Sequence, residues 1–250
     1  MTELFDGERI DEVNDSLRLI QKSGGLTFGT DALLLAGYSE ERGAIGLELG
    51  SGSGIISMLM LTREKLKRAD ALEVQEEYAL LTKRNAELNS LSSLSAVLCD
   101  VRDFKPERSY DTVFTNPPYM TVASGKANAL SRKNVARHEV MGTVRDFVAC
   151  AARCLKYGGS FLSVYRPDRL SDILAAMREY SIEPKRMTFV HADTESVSSM
   201  VLIEGRLGGG VGLKLTAPLI IYADGEHKVY TSDMNYIMEN GSFPQKYNRK

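Results

Sequence analysis

The stretch Ala44-Ile45-Gly46-Leu47-Glu48-Leu49-Gly50-Ser51-Gly52-Ser53-Gly54-Ile55-Ile56-Ser57-Met58-Leu59-Met60-Leu61 decides the fold of this chain. Its first six residues read as a strand, the next five as a glycine loop and the last seven as a helix. Strand, glycine loop and helix make the first βα turn of a nucleotide-type sheet. Glycines let the backbone approach a ligand closely, and the helix amino end offers N–H groups that have no partner within the helix. The loop is Gly-x-Gly-x-Gly after an acid, which departs from the Gly-x-Gly-x-x-Gly of dinucleotide sites and disfavours a dehydrogenase. A glycine loop alone fits many nucleotide sites. Two acids and a proline corner further along the chain narrow the choice.

Residues 69–74 read as a second strand ending at Glu73, about 20 residues past the loop, the spacing of an acid that accepts both ribose hydroxyls of an adenosine-containing cofactor. A helix over residues 75–89 and a short strand over 96–99 lead to Asp100. Its plain role is to begin a turn; its functional role would be to contact an adenine amine. The fourth strand, residues 110–115, runs into Asn116-Pro117-Pro118-Tyr119. Two prolines fix two φ angles, remove two donors and bar the preceding residue from helix. The result is a stiff corner at a strand's carboxyl end, where ligands bind in open α/β sheets. There a planar group with an exocyclic NH2 can donate to the Asn116 side-chain oxygen and the Pro117 carbonyl and stack on Tyr119. The corner alone also reads as a rigid turn. In series with the loop and the two acids it is far more specific, because all four features then share one edge of one sheet.

The remaining chain is organised around that series. Residues 1–42 form an amino-terminal extension packing on the core, and residues 43–250 the main domain with carboxyl-terminal additions. In the extension, residues 16–21 alternate like a half-exposed strand, and Thr30-Asp31 precede the apolar Ala32, Leu33, Leu34, Leu35 and Ala36 as a helix cap. Residues 120–138 are loop-like, with Lys126, Arg132, Lys133 and Arg137 and no acid. That stretch carries +4, leaving −2 − 4 = −6 for the rest of the chain. It reads either as a solvated loop or as an anion-facing one. Beyond it come a helix over 143–157, a strand over 158–165 and a helix over 167–180 opened by Pro167. Strands over 186–191 and 199–204, a turn at Gly208-Gly209-Gly210, a strand over 219–222, a helix over 232–239 and a loose basic tail complete the chain.

Composition excludes other classes. In 250 residues, 43% hydrophobic and 26% charged content suits a globule with a sizeable core, here one α/β domain. The amino terminus is acidic without an apolar centre, so no signal peptide is expected, and no apolar run nears the ~18 residues of a membrane span. Cys99, Cys150 and Cys154 form no Cys-x-x-Cys, which suggests a reducing cytoplasm and no structural zinc. A net charge of −2 argues against a general nucleic-acid coat.

Glu48 to Gly54 resembles the S-adenosylmethionine loop of class I methyltransferases. The resemblance implies a Rossmann-like α/β fold with a mostly parallel seven-stranded sheet and helices on both faces. It also implies S-adenosyl-L-methionine held by Thr30, Glu48, Gly50, Ser51, Gly52, Gly54, Glu73, Val74, Asp100, Val101 and Asn116. Asn116-Pro117-Pro118-Tyr119 resembles the signature of methyltransferases acting on adenine N6, glutamine amides or guanine N2. Gly25-Leu26-Thr27-Phe28-Gly29-Thr30-Asp31, Ala136-Arg137-His138-Glu139, and Pro218-Leu219-Ile220-Ile221-Tyr222 with Tyr230-Thr231 are similar to motifs of the bacterial valine-tRNA adenine N6-methyltransferase family. That family modifies the adenine beside the anticodon. The likeness implies a tRNA substrate, catalytic Asn116, Pro117, Pro118 and Tyr119, and RNA contacts from Lys126, Arg132, Lys133, Arg137 and His138, with no metal and no general base. A monomer is compatible with all of this. The nearer alternative is a glutamine N5-methyltransferase acting on a protein, although 42 residues leave little room for the helical recognition domain such enzymes usually carry. A non-catalytic RNA-binding module on the same fold is the alternative from another class.

Overall fold

The computed structural model of the chain describes residues 4–22, 29–117 and 142–249. Its centre is the expected series of parallel strands, β3 (Ala44–Leu49), β4 (Leu66–Glu73), β5 (Leu94–Leu98), β6 (Tyr110–Thr115) and β7 (Leu155–Tyr165). β8 (Ile182–His191) and β9 (Ser198–Leu207) extend the sheet, and two-residue strands β10 (Lys214–Leu215) and β11 (Leu219–Ile220) pair with β8. The order is β10-β8-β9-β7-β6-β3-β4-β5, with β9 antiparallel to both of its neighbours. The seven long strands are those of the expected architecture, and the two short ones bring the sheet to nine.

Parallel strands covered on both faces need apolar residues on both sides of the pleat. Neighbours in β6 show this: Phe114 faces one cluster with Leu34, Leu35, Met58 and Ile237, and Val113 faces the other with Leu47, Val148 and Met177. The first face carries α1 (Thr30–Tyr38), α2 (Ile55–Thr62), α3 (Glu76–Leu88) and α6 (Ser232–Asn240). The second carries α4 (Val144–Cys154) and α5 (Leu170–Glu179). Thr143 starts α4 with a capping box, its hydroxyl accepting from the Asp146 N–H while the Asp146 carboxylate accepts from the Thr143 N–H.

Several elements differ from the sequence expectation. Helix 143–157 ends at Cys154, and the residues after it already belong to β7, which pairs Tyr110 with Leu155 and then Thr112 with Ser160. The shift bulges residues 156–159 out of the ladder, and Gly158 supplies the positive φ of 77° that the bulge needs. Residues 167–169 make a 3-10 turn before α5. A strand not foreseen, β1 (Glu8–Asn14), pairs antiparallel with β2 (Leu17–Lys22). It is mostly polar, and its two apolar residues, Ile10 and Val13, stand three apart instead of alternating as in a strand. Its anchor is Arg84 on α3, whose Nη1 and Nη2 lie 2.6 and 2.8 Å from the two carboxylate oxygens of Glu8. β2 itself is mostly buried rather than half-exposed.

Helix α1 is not capped by Thr30 or Asp31. Gly29 is its N-cap, without a side-chain cap bond, and Asp31 lies in its first turn. At its far end the buried Lys65 ammonium donates to the carbonyls of Ala36, Gly37 and Ser39 at 3.0, 2.8 and 2.7 Å, supplying donors to a terminus that has none of its own. The tail is docked rather than loose. Tyr247 is buried, Lys246 lies 2.7 Å from Asp233, and Arg249 Nη1 lies 2.6 Å from Glu204. Among the described residues no helix is long and apolar enough to cross a membrane.

Candidate active site

The glycine loop and the proline corner leave adjacent strands at the same level. Leu49, the last residue of β3, is in register with Thr115, the last of β6, and the Thr115 hydroxyl donates to the Leu49 carbonyl at 2.8 Å. Gly50 and Asn116 are the next residues on each strand. On the other side of β3, Leu49 pairs with Leu72, and Glu73 pairs with Leu98 on β5. Loop, Glu73, Asp100 and Asn116 therefore line one edge of the sheet.

Gly50, Gly52 and Gly54 all have positive φ, at 69, 55 and 78°. A Cβ at Gly50 would lie 3.1 Å from the Phe147 ring and one at Gly54 2.8 Å from Thr82, while one at Gly52 would meet nothing within 4 Å. Packing constrains the outer two glycines; the middle one faces open space. The loop is braced from beneath. Gly52 donates its N–H to Glu73 Oε2 at 3.0 Å, Thr82 Oγ1 donates to the Gly52 carbonyl at 2.9 Å, and Asn85 Nδ2 donates to the Ser53 carbonyl at 3.0 Å. Asn85 also exchanges bonds with the Ile20 backbone, joining the β1–β2 hairpin to the loop. Neither Thr82 nor Asn85 was a sequence candidate. Their only signal is a polar pair three residues apart on the α3 face that carries Ala86 into the core.

Glu73 is buried. Its Oε2 takes the Gly52 N–H and its Oε1 the Gln75 N–H at 2.9 Å. A carboxylate has about four acceptor positions, so each oxygen retains capacity for a further donor. Val74, half-buried, follows it. Asp100 is forked on Arg102, with Oδ1 accepting from its Nε at 2.9 Å and Oδ2 from its Nη2 at 2.5 Å, and this holds its carboxyl below the ordinary range. Val101 is buried, and its carbonyl accepts from Arg153 at 2.8 Å.

Glu48 sits beneath the loop. It is 1% exposed, and its Oε2 accepts from the Ser57 N–H at 3.0 Å and hydroxyl at 2.5 Å, tying β3 to the first turns of α2. Burial pushes its pKa from 4.5 up to about 8. A carboxyl raised in the folded state contributes stability that is full below the unfolded value and is lost as pH climbs through the folded one. Glu48→Gln should remove that dependence. Between about pH 5 and about pH 8 the wild-type Tm should therefore fall relative to that of E48Q. Parallel Tm curves across that range would show that Glu48 titrates normally.

Asn116 does not stand by itself at the corner. Its Nδ2 donates to Asp31 Oδ2 at 2.6 Å, bridging the end of β6 to the first turn of α1. Thr30 and Asp31 also line a cavity of about 760 Å³, together with Tyr165, Arg166, Ser198 and Met200 from the same edge of β7 and β9. The Arg166 guanidinium is held flat by Asp168, with Nε–Oδ1 at 2.9 Å and Nη2–Oδ2 at 2.7 Å. Pro117 is buried next to Asn116. Pro118, Tyr119, Lys126, Arg132, Lys133, Arg137 and His138 lie outside the described residues, as do the motif residues 25–28.

Comparison with known proteins agrees with this geometry. Residues 23–179 match the model of the methyltransferase small domain family. Curated relatives named tRNA1(Val) (adenine(37)-N6)-methyltransferase include that of Pedobacter heparinus, 27% identical over 176 residues, covering 69% of this chain and 74% of its own. The Aeromonas hydrophila relative of the same name is 27% identical over 202 residues, covering 80% and 84%. Among solved structures, a protein of Agrobacterium tumefaciens described as a predicted O-methyltransferase superposes with a TM-score of 0.70 at 21% identity, covering 86% of this chain and 98% of its own. The geranyl diphosphate C-methyltransferase of Streptomyces coelicolor, solved with S-adenosyl-L-homocysteine, superposes at 0.51 with 14% identity, covering 70% and 76%.

Proposed function

The chain belongs to the methyltransferase small domain family, and from that premise we propose that it methylates the exocyclic N6 amine of an adenine in tRNA, using S-adenosyl-L-methionine. The adenine in the anticodon loop of a valine tRNA is the target we favour. The observation that carries the reading is the register of Leu49 with Thr115, which sets the glycine loop and Asn116 side by side on one edge. The names of the curated relatives support the choice of RNA over a protein amide.

The residues present fit the cofactor. The acid ending β4 retains acceptor capacity for a ribose diol, the backbone at Gly52 faces open space, and Val74 offers an apolar edge beside them. In this proposal Gly50, Ser51, Gly52, Gly54, Thr30, Glu73, Val74, Asp100 and Val101 hold it, and Glu48 fixes the loop from below. When bound, it supplies a methyl carbon on a sulfonium, which the amine takes with release of the neutral thioether and loss of one proton to water.

The protein's task is to bind, orient and solvate. An exocyclic amine is a poor nucleophile because its lone pair is delocalised into the purine. Donating its two N–H groups to the Asn116 side-chain oxygen and the Pro117 carbonyl favours a pyramidal nitrogen and draws that lone pair out of conjugation, towards the methyl carbon. Both acceptors bind the amine more tightly as positive charge grows on nitrogen, so they favour the transition state over the ground state. Tyr119 would stack on the base, worth about 1–3 kcal/mol. The base must leave its stack to reach the corner, which costs a few kcal/mol and least in a loop. No general base is required.

The test is incubation of the protein with total tRNA from a strain lacking its gene, followed by nucleoside analysis. N6-methyladenosine in a valine tRNA is expected; methylated glutamine in a protein, with no modified tRNA, would overturn the reading. The cations at 126–137 give a separate expectation. Neutralising Lys126, Arg132, Lys133 and Arg137 together should reduce the magnitude of the log–log salt slope of tRNA binding by about 3. An unchanged slope would remove that stretch from the RNA interface.

A further inference from the structure

We propose that Asp31 is a positioning residue that sets which atom of the Asn116 amide meets the substrate amine. The inference rests on the proposed adenine N6 chemistry and goes beyond it by assigning a role to a residue of α1. An asparagine amide has nearly the same shape after a half-turn about its last bond, but its chemistry is reversed. One orientation offers an acceptor to the amine; the other offers a second NH2 group and no useful contact. A carboxylate accepts hydrogen bonds and cannot donate them, so the group 2.6 Å from Asp31 Oδ2 has to be the amide nitrogen. That contact commits the nitrogen to α1 and makes the oxygen the atom presented to an incoming amine. In the reversed orientation two oxygens would face each other at that distance.

The carboxylate is itself held in place. Its Oδ1 accepts the N–H of Ala32 at 2.9 Å, leaving Oδ2 for Asn116. The residue at 29 makes room for it. A Cβ there would lie 2.6 Å from Asp31 Oδ1, although Gly29 has an ordinary φ of −124° that any residue adopts. A side chain at 29 would therefore have to displace the Asp31 carboxylate, while the backbone there needs no glycine. Charge adds to orientation. A negative group bonded to the amide NH2 polarises the amide and strengthens its oxygen as an acceptor, at the point where the amine nitrogen becomes positive. Asp31 also lines the cavity of about 760 Å³, so the carboxylate stands between that space and Asn116.

The experiment compares D31N, G29A, N116A and the D31N/N116A double variant in single-turnover methylation of tRNA, with Tm and S-adenosylhomocysteine affinity as controls. D31N has the same shape as the wild type but no longer selects the amide orientation. We expect its kcat to fall at least tenfold, with KM for tRNA and cofactor affinity within about twofold. G29A should show the same pattern, and D31N should add nothing in the N116A background, because residues acting through one another are not additive. A side-chain amide resonance of Asn116 that is shifted in the wild type should move in D31N. More than half of the wild-type kcat remaining in D31N, or an additive loss in the double variant, would overturn the proposal. The resonance needs no turnover. If it does not move in D31N the Asp31 role is wrong, even where the wild type methylates no tRNA, an outcome that would sink the substrate reading instead.

Discussion

Asn116→Ala is expected to lower kcat for tRNA methylation by about 10²–10³-fold while leaving cofactor affinity near wild type. Removing a single preorganised donor from a site that stabilises developing negative charge has that effect in other enzymes. Here the sign is inverted, with an acceptor aimed at developing positive charge, but the physics is the same. The group is fixed before the reaction begins, because Thr115 bonds to Leu49 and the amide bonds to Asp31, so no reorganisation is needed at the transition state. Alanine deletes the acceptor, and water entering the gap must be ordered to replace it. The loss should appear in kcat, since the contact strengthens only as charge grows on the amine. Asn116→Asp should fare no better, because its carboxylate would stand against that of Asp31 and one of the two would have to take up a proton. A rapid-quench single turnover with saturating tRNA measures the step directly. An alanine variant within tenfold of the wild type would show that the corner holds the base without acting on the amine.

How much of this site could be read from the chain depends on what each feature requires. The strand ending at Leu49 and the one ending at Thr115 are short, largely apolar or β-branched runs closed by a glycine loop and by Asn-Pro-Pro, and the structure reproduces both spans to the residue. The alignment of loop, acids and corner on one edge was legible because parallel strands joined by crossovers all present their carboxyl ends on the same side. The pairing of Asp31 with Asn116 was not, since it joins residues 85 apart and depends on where α1 crosses the sheet. In the sequence Asp31 looked like half of a helix cap, a role that Gly29 takes instead. Glu48 was legible as an acid beside the loop, but strand alternation alone does not say that Ser57 lies beneath it to receive the carboxyl. The docked tail was missed for a related reason. Lys246 and Arg249 read as solvated charges, and only the fold brings Asp233 and Glu204 to them.

Arg186 is the residue whose removal should cost the fold most. It lies on β8 with none of its side chain exposed, under the ring of Tyr38 at 3.8 Å from guanidinium carbon to centroid. Its Nη1 donates to Glu40 Oε1 at 2.5 Å and to the Tyr247 carbonyl at 3.1 Å, and its Nη2 to the Tyr38 carbonyl at 2.5 Å. Glu204, also buried, places Oε2 2.8 Å from Nη2 but off the line of a hydrogen bond, and the Arg186 Nε finds no acceptor among the described residues. One guanidinium thus ties the end of α1 to β8, β9 and the carboxyl-terminal tail. Burying it incompletely satisfied is a poor source of net stability, yet breaking the cluster removes the cation beside the buried Glu204 and takes a donor from Glu40 and from two carbonyls. Arg186→Ala should therefore destabilise the protein by about 3–5 kcal/mol. In a domain of this length each kcal/mol lowers Tm by about 2–4 °C, so the expected fall is roughly 6–20 °C. Replacing Arg186 and Glu204 together by methionine should cost less than Arg186→Ala alone, because no uncompensated charge then remains inside. Thermal unfolding of the three proteins at one pH and salt concentration decides the matter. A loss below about 1 kcal/mol in Arg186→Ala would mean that Arg249, at 2.6 Å from Glu204 Oε1, neutralises that carboxylate unaided.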